Sequence, residues 1–494
     1  MTPANRLVTA LLGSALVLSA CVARSEIVAA TAVTASPSVE PSPTEPAAPR
    51  IGYVVSASDP AALVVATIRA RIGRADVEPT ASLDRPVLQV AGVLSPVDRD
   101  VLRSLDDIIV ISSDARTAGR LAASAAPSVS GGTTTSEVVE DLSETLARIA
   151  LEQISQDTDG SRVRLAMTTD PSLILAQLDQ LEPGDLLLTV DGDPLAPGPG
   201  NAAVTAALQA GAEVALLVDD PSIDWKLAVL EGGLQAPGGG QLLAGRRYLA
   251  AYGSPGTSSL GVLGEQAVEA THQRILDIAA PYDDGTLEIV PVFEIIAAVA
   301  SASATGDGDY SYGISFDLIR EWVDYAAAND ILVILDIQPG RTDFLTHAKR
   351  YEEFLVQPHV GMGLDPEWRL KPNQVHLRQI GTVDGAEVNQ VVDYLAGLVR
   401  EHSLPQKMLV LHQFRHSMIT NKDIVRAPDE LLVVLHFDGQ GGQPAKESGF
   451  HAYADDDAGR FAPGWKNFYD EDRPMAGADR VLALRPQPVF ISFQ

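Results

Sequence analysis

The chain of 494 residues has a single cysteine, Cys21. Beyond that position nothing can form a disulfide, a thiolate metal site or a thiol nucleophile, so the fold must rest on its apolar core. Positive charge is also scarce: 36 Lys and Arg stand against 65 Asp and Glu, a formal charge of −29. That balance opposes charge-driven binding to nucleic acid or to an anionic membrane surface. Several signatures are missing as well. No GxGxxG or GxxxxGK[ST] loop follows a strand, so nucleotide binding has no support. No HExxH pair marks a catalytic zinc, and no GxSxG elbow marks a serine hydrolase.

What is present begins with residues 1–21. "MTPANR" carries one positive charge, "LVTALLGSALVL" is apolar but short of the ~20 residues of a membrane span, and "LSAC" closes on small residues and a cysteine. This segment resembles a bacterial lipoprotein signal, with Leu18, Ser19, Ala20 and Cys21 as the lipobox. The resemblance implies that Cys21 becomes the lipidated first residue of an extracytoplasmic chain anchored to the cell membrane. An ordinary secretory signal with an incidental cysteine is the alternative. Residues 22–50 are rich in Pro, Ser, Thr and Ala and cannot bury a core, so a disordered stalk is expected there.

Residues 51–240 alternate apolar runs with amphipathic segments, the pattern of an α/β domain with a parallel sheet covered on both faces. Ser95 with Pro96 makes a helix start, and residues 136–154, "SEVVEDLSETLARIALEQI", read as one longer helix. The stretches "YVVSASDPAALVVATIRARI", "PVLQVAGVLSPVDRDVLRSL" and "IIVISSD" resemble the cell-wall-binding repeat domains of Gram-positive surface proteins. That resemblance implies a unit docking to wall polymers.

The Gly-rich stretch 235–245 punctuates the chain. Residues 246–494 match the ~250 residues of one (β/α)₈ TIM-like barrel. Eight strand candidates follow: "RRYLAAYG", "LEIVPVFEII", "ILVILDIQ", "HVGMGLD", "KMLVLHQF", "LLVVLHFD", "GWKNFYD" and "PVFISFQ". Between the fourth and fifth, Val388, Val391, Val392, Leu395, Leu398 and Val399 form one helical face. Asp384 with Glu387 makes that helix a capping-box start. A weaker helical pattern, "PAKESGFHAYADD", follows the sixth strand.

In such barrels the active site forms at the C-terminal strand ends. Those ends carry Tyr252; Glu294; Asp336 and Arg341; Asp365, Glu367, Trp368 and Arg369; His412 and Arg415; His436 and Asp438; and Lys466, Asn467, Tyr469 and Asp470. Carboxylates interleaved with aromatics suit glycoside chemistry, which needs one acid for the leaving oxygen and a second group to stabilise positive charge on the sugar. "DPE", 365–367, resembles the Asp-x-Glu ending strand four of chitinase-like and muramidase-like barrels. The resemblance implies Glu367 as general acid and Asp365 as its helper, with Tyr469 or Asp470 as a further partner; Asp336, at the end of strand three, is a further catalytic candidate. The chain departs from the fuller chitinase pattern, which has aspartates where Gly363 and Val360 stand. The bland alternative is a turn at Asp365 and Pro366 with a surface ion pair between Glu367 and Arg369.

The strings "YGSPGTSSLGVLGEQ", "DIQPGRTDFLTHAKRYEEFL", "LDPEWRL" and "LVLHQFRHSMI" resemble an uncharacterised family of secreted actinobacterial proteins, often lipoproteins. The expectation is a membrane-anchored envelope protein whose barrel acts on or binds a cell-wall glycan or peptidoglycan, without a cofactor. Two alternatives stand beside it. One is a non-catalytic wall-binding protein. The other is a phosphodiesterase holding Mg²⁺ or Ca²⁺ on Glu294, Asp336, Glu367 and His412.

Overall fold

The computed structural model describes residues 51–494 apart from 57, 73–86, 91–93, 95–98, 101, 130–131, 157–159, 183, 219–222 and 457–458. The signal segment with Cys21, the 22–50 stalk and the helix start at Ser95 and Pro96 lie outside the described residues. Among the described residues no helix is long and apolar enough to cross a membrane.

All eight strand candidates form strands: one, Arg246–Gly253; two, Glu288–Ala300; three, Leu332–Ile337; four, Val360–Leu364; five, Lys407–Gln413; six, Leu431–Phe437; seven, Ala462–Asn467; and eight, Phe490–Phe493. Each pairs in parallel with the next, and strand eight pairs with strand one. The sheet therefore closes into a (β/α)₈ barrel. Strand three is buried along its whole length, which is why its sequence before Asp336 reads as an aliphatic run rather than an alternation.

Successive side chains still point to opposite faces. Tyr248, Val292, Ile334, Val410, Val434 and Phe490 pack together inside the barrel. Their neighbours Leu249, Phe293, Leu335, Leu411, Leu435 and Ile491 join the cluster beneath the helices. Carried a step or two further along each strand, the inward series turns polar and delivers Tyr252, Glu294, Asp336, His412, His436 and Ser492, all 2 % exposed or less.

The helix expected after strand four runs over Gly385–Glu401 and buries the six predicted residues. Asp384 caps it, accepting from the Ala386 N–H at 2.9 Å. Glu387 does not complete a capping box; its carboxylate is held by Arg369 and accepts from the Phe344 N–H. The weaker pattern after strand six is the helix Gln443–Asp456.

The preceding α/β region contains two parallel sheets. One orders Val87–Val90, Ile51–Ser56, Asp107–Ser112 and Thr134–Val138; the other orders Leu186–Thr189, Arg162–Ala166 and Glu213–Leu216. The long helix expected over 136–154 is shorter. Residues through Val138 pair as a strand with Asp107–Ser112, and the helix Leu142–Ile154 begins only where Asp141 accepts from the Glu144 N–H at 2.9 Å. A good N-cap defines that start better than the apolar periodicity did. Leu195 and Trp225 from this region share a core with Val399 and Leu404 of the barrel. Lys226 Nζ spans the same junction, 2.9 Å from Asp193 Oδ2 and 2.8 Å from Asp429 Oδ2.

Candidate functional site

Strand four ends in a single 3₁₀ turn, Pro366–Trp368, and that turn makes no use of the carboxylate before it. Asp365 gives no side-chain cap, and its Oδ1 finds no hydrogen-bond partner although the residue is buried. Arg369 does not pair with Glu367. Its guanidinium reaches Glu387 Oε1 at 2.8 Å and the carbonyls of Arg341 and Leu370 at 2.8 and 2.9 Å, fastening the turn to the helix behind it. With Arg369 so engaged, Glu367 faces the barrel mouth. The turn explains the proline and the arginine; the two acids are left for the cavity.

Beneath the mouth lies a buried polar layer centred on His412. Its Nε2 is 3.1 Å from Glu294 Oε1 and 3.6 Å from Asp336 Oδ1, and its Nδ1 faces Asp438 Oδ2 at 3.4 Å. Burial disfavours the imidazolium, but Asp336, Asp438 and Glu294 outweigh it and push the His412 pKa well up. Tyr252 donates its hydroxyl to Asp336 Oδ2 at 3.0 Å. His436, paired in register with His412, lies edge-on to it with ring centroids 4.8 Å apart. Burial, then the charges of His412 and Lys466, hold His436 well below the usual histidine range. The two imidazoles are thus driven in opposite directions, with the Ser492 hydroxyl 3.1 Å from His436 Nε2.

Two glycines make room for this layer. A Cβ on Gly363 would stand 2.9 Å from Asp336 Oδ1, and one on Gly464 would stand 2.9 Å from His436 Cδ2. A side chain at 363 would crowd Asp336, which occupies the space from the neighbouring strand.

Above the layer opens a cavity of about 290 Å³ whose lining includes Tyr252, Asp365, Glu367, Trp368, Asp438 and Lys466, together with Phe414, Phe468 and Glu471. Lys466 Nζ sits 3.4 Å from the centroid of the Tyr252 ring, a cation held over an aromatic face. Burial, reinforced by the nearby Asp438 carboxylate, pushes Glu367 up to about 7. Asp365 is raised well above the carboxylate range by burial and by the charges of Glu367 and Asp336. Asp336 is raised by burial and Glu294. Asp438 moves the other way: it is as deeply buried, yet His412 and Lys466 hold it below the usual value. Two carboxyls facing one cavity thus sit in environments that drive their pKa values apart.

No family model matches the chain, and no curated protein matches it.

The structure gathers Tyr252, Glu294, Asp336, Asp365, Glu367, Trp368, His412, His436, Asp438 and Lys466 at the barrel mouth or directly beneath it. Other residues expected at the site lie elsewhere. Asp470 is exposed and outside the cavity lining, because strand seven ends at Asn467 and the chain has turned away by then. Tyr469 is exposed too, its ring stacked against Arg274. Arg341 donates to the Gln374 carbonyl and lies over the Tyr310 ring, and Arg415 is exposed. Asn467 sits on the outward face of strand seven, accepting from Trp465 Nε1 at 2.9 Å. Arg369 and Glu387 support the turn from behind.

Two features went unforeseen. Phe414 continues the inward series Met408, Val410, His412, so the alternation already held the signal for it. Lys446 and Asp472 form a buried ion pair that ties the rim together. Lys446 Nζ also donates to the Lys466 carbonyl, while Asp472 accepts the N–H groups of Gly441 and Phe468, each at 3.0 Å. The Gly-rich loop after strand six is thereby fastened to the loop after strand seven.

Proposed function

We propose that the barrel is a glycoside hydrolase in which Glu367 is the general acid and Asp438 the second carboxylate. The supporting observation is the opposed titration of these two groups across one cavity: Glu367 is pushed up to about 7, and Asp438 is held ionised. A protonated carboxyl can deliver a proton to a leaving glycosidic oxygen, while the ionised one stabilises charge at the sugar carbon or activates water. Asp365, raised by its neighbours, orients the acid or a substrate group, as the helper role requires. Asp438 takes the place in the mechanism that the sequence had offered to Asp470. Trp368, Phe414 and Phe468 supply apolar faces for sugar rings.

The lipobox resemblance at Cys21 and the wall-binding resemblance of the α/β region support a cell-membrane-anchored lipoprotein whose substrate is a cell-envelope glycan. The test is release of new reducing ends from purified wall polymers. Wild type should release them and Glu367→Gln should not. Equal release by both would remove Glu367 from the chemistry, and release by neither would leave a non-catalytic wall-binding protein.

A metal-dependent phosphodiesterase has one observation in its favour: ligand atoms of Glu294, His412 and His436 lie within 4.8 Å of one another. Two imidazoles and a carboxylate would suit a borderline transition ion better than Mg²⁺ or Ca²⁺. Glu367 is not part of that group. Metal-dependent cleavage of a phosphodiester that survives Glu367→Gln would select this second reading.

A further inference from the structure

We propose that the cavity binds a glycan carrying free amino groups, so that the sugar seated against Asp365 and Asp438 is a de-N-acetylated amino sugar whose ammonium meets their carboxylates. This rests on the glycoside-hydrolase reading and names its substrate class. The first argument is charge. Glu294, Asp336, Asp365, Glu367, Asp438 and Glu471 converge on the cavity and the layer beneath it, whereas Lys466 and His412 are the positive groups facing them. Burial and mutual repulsion push Asp336, Asp365 and Glu367 toward their neutral forms, and a cation seated among these carboxyls relieves that repulsion whereas an anion adds to it.

The second argument is a pair of orphaned acceptors. Asp365 and Asp438 are only 3 % and 8 % exposed, both line the cavity, and Oδ1 of each finds no hydrogen-bond partner. A buried carboxylate oxygen without a donor is costly, and a ligand that supplies one is favoured by that amount. An ammonium brings three N–H donors and a charge, and its hydrogen bonds to carboxylates are the strong, charge-assisted kind.

An N-acetyl group makes the opposite demand, a donor for its carbonyl. Donors in this wall include the Lys466 ammonium, drawn over the Tyr252 ring, and the unpartnered indole N–H of Trp368. An N-acetyl carbonyl that met one of them would still leave Oδ1 of Asp365 and of Asp438 without a donor. The same oxygens could attract a divalent ion, but Lys466 stands beside them, and the experiment separates the two.

The full chain is titrated calorimetrically at pH 7, in EDTA, with a glucosamine oligosaccharide and with its fully N-acetylated counterpart of equal length. The expected result is at least ~10-fold tighter binding of the free amine. Asp438→Asn and Asp365→Asn should each reduce that preference several-fold, with thermal melts confirming that they fold. Asp317→Asn, whose side chain is 95 % exposed, should leave it unchanged. Equal or tighter binding of the N-acetylated sugar overturns the proposal, as does binding of neither. So does a preference that survives both cavity substitutions, which would mark general attraction to an acidic surface. Competition by micromolar Mn²⁺ or Ca²⁺ in EDTA-free buffer would make this a metal site instead. Cleavage is followed in the same samples. Amine-selective binding without cleavage keeps this inference and removes the hydrolase; cleavage of the N-acetylated polymer alone does the reverse.

Discussion

Replacing Glu367 with Gln should stabilise the protein at pH 8 while changing it little at pH 5. The carboxyl has an ordinary value of 4.5 and is pushed up to about 7 in the folded chain. Below 4.5 it is protonated in folded and unfolded chains alike, so it contributes no pH dependence. Between 4.5 and 7 the unfolded chain releases the proton and the folded chain keeps it, so stability falls as pH rises. Above 7 the loss is complete and constant. Each unit of displacement is worth about 1.4 kcal/mol, which sets an upper figure of about 3 kcal/mol at pH 8 and under about 1 kcal/mol at pH 5. Glu367 keeps some solvent contact, so about 1–3 kcal/mol at pH 8 is the working range. Glutamine cannot ionise and escapes the loss. Thermal melts of both proteins from pH 5 to 8 should show the variant gaining a few degrees over wild type as pH rises. A variant less stable at pH 8, or a difference independent of pH, would refute the reasoning.

Lys466→Met removes a charge that restrains the upward shift of Glu367, so the alkaline limb of the pH–rate profile should move above 7; an unmoved limb would uncouple the two groups. Gly363→Ala would place a Cβ 2.9 Å from Asp336 Oδ1. It should cost about 1–3 kcal/mol by thermal melting and lower turnover, and a silent substitution would contradict the close approach. Lys446→Met leaves Asp472 buried and unpaired, which should cost about 3–5 kcal/mol, and adding Asp472→Asn should recover part of that loss. Cys21→Ser should move the protein from the membrane fraction to the soluble fraction on cell lysis; retention in the membrane would end the lipid-anchor proposal.

The barrel was legible because two-sided burial writes strands as aliphatic runs at intervals set by one helix each. Most of the site was legible for a related reason. The inward alternation that packs Val410 also directs His412 to the barrel axis, and the same phase selects Tyr252, Glu294, Asp336 and His436. It would also have set aside Asn467, which follows the inward Lys466 by one residue and so points outward. Asp470 lies three residues past the end of strand seven, where alternation no longer predicts direction. Partner choice was not legible. Arg369 lies two residues from Glu367 but pairs with Glu387, and Lys446, on the helix after strand six, meets Asp472 in the loop after strand seven. Such pairings follow from how elements stack, which local sequence does not encode. The helix at 136–154 was overextended because apolar spacing spoke for continuation while the Asp141 cap was overlooked.

The central claim is that a carboxyl protonated near neutrality does the chemistry at the barrel mouth. The most direct measurement is the pH dependence of glycan hydrolysis by wild type and Glu367→Gln. The account predicts a wild-type rate that falls above about pH 7, as Glu367 loses its proton, and a variant without measurable turnover. A wild-type rate flat to pH 9, or a variant that retains the wild-type profile, would contradict it.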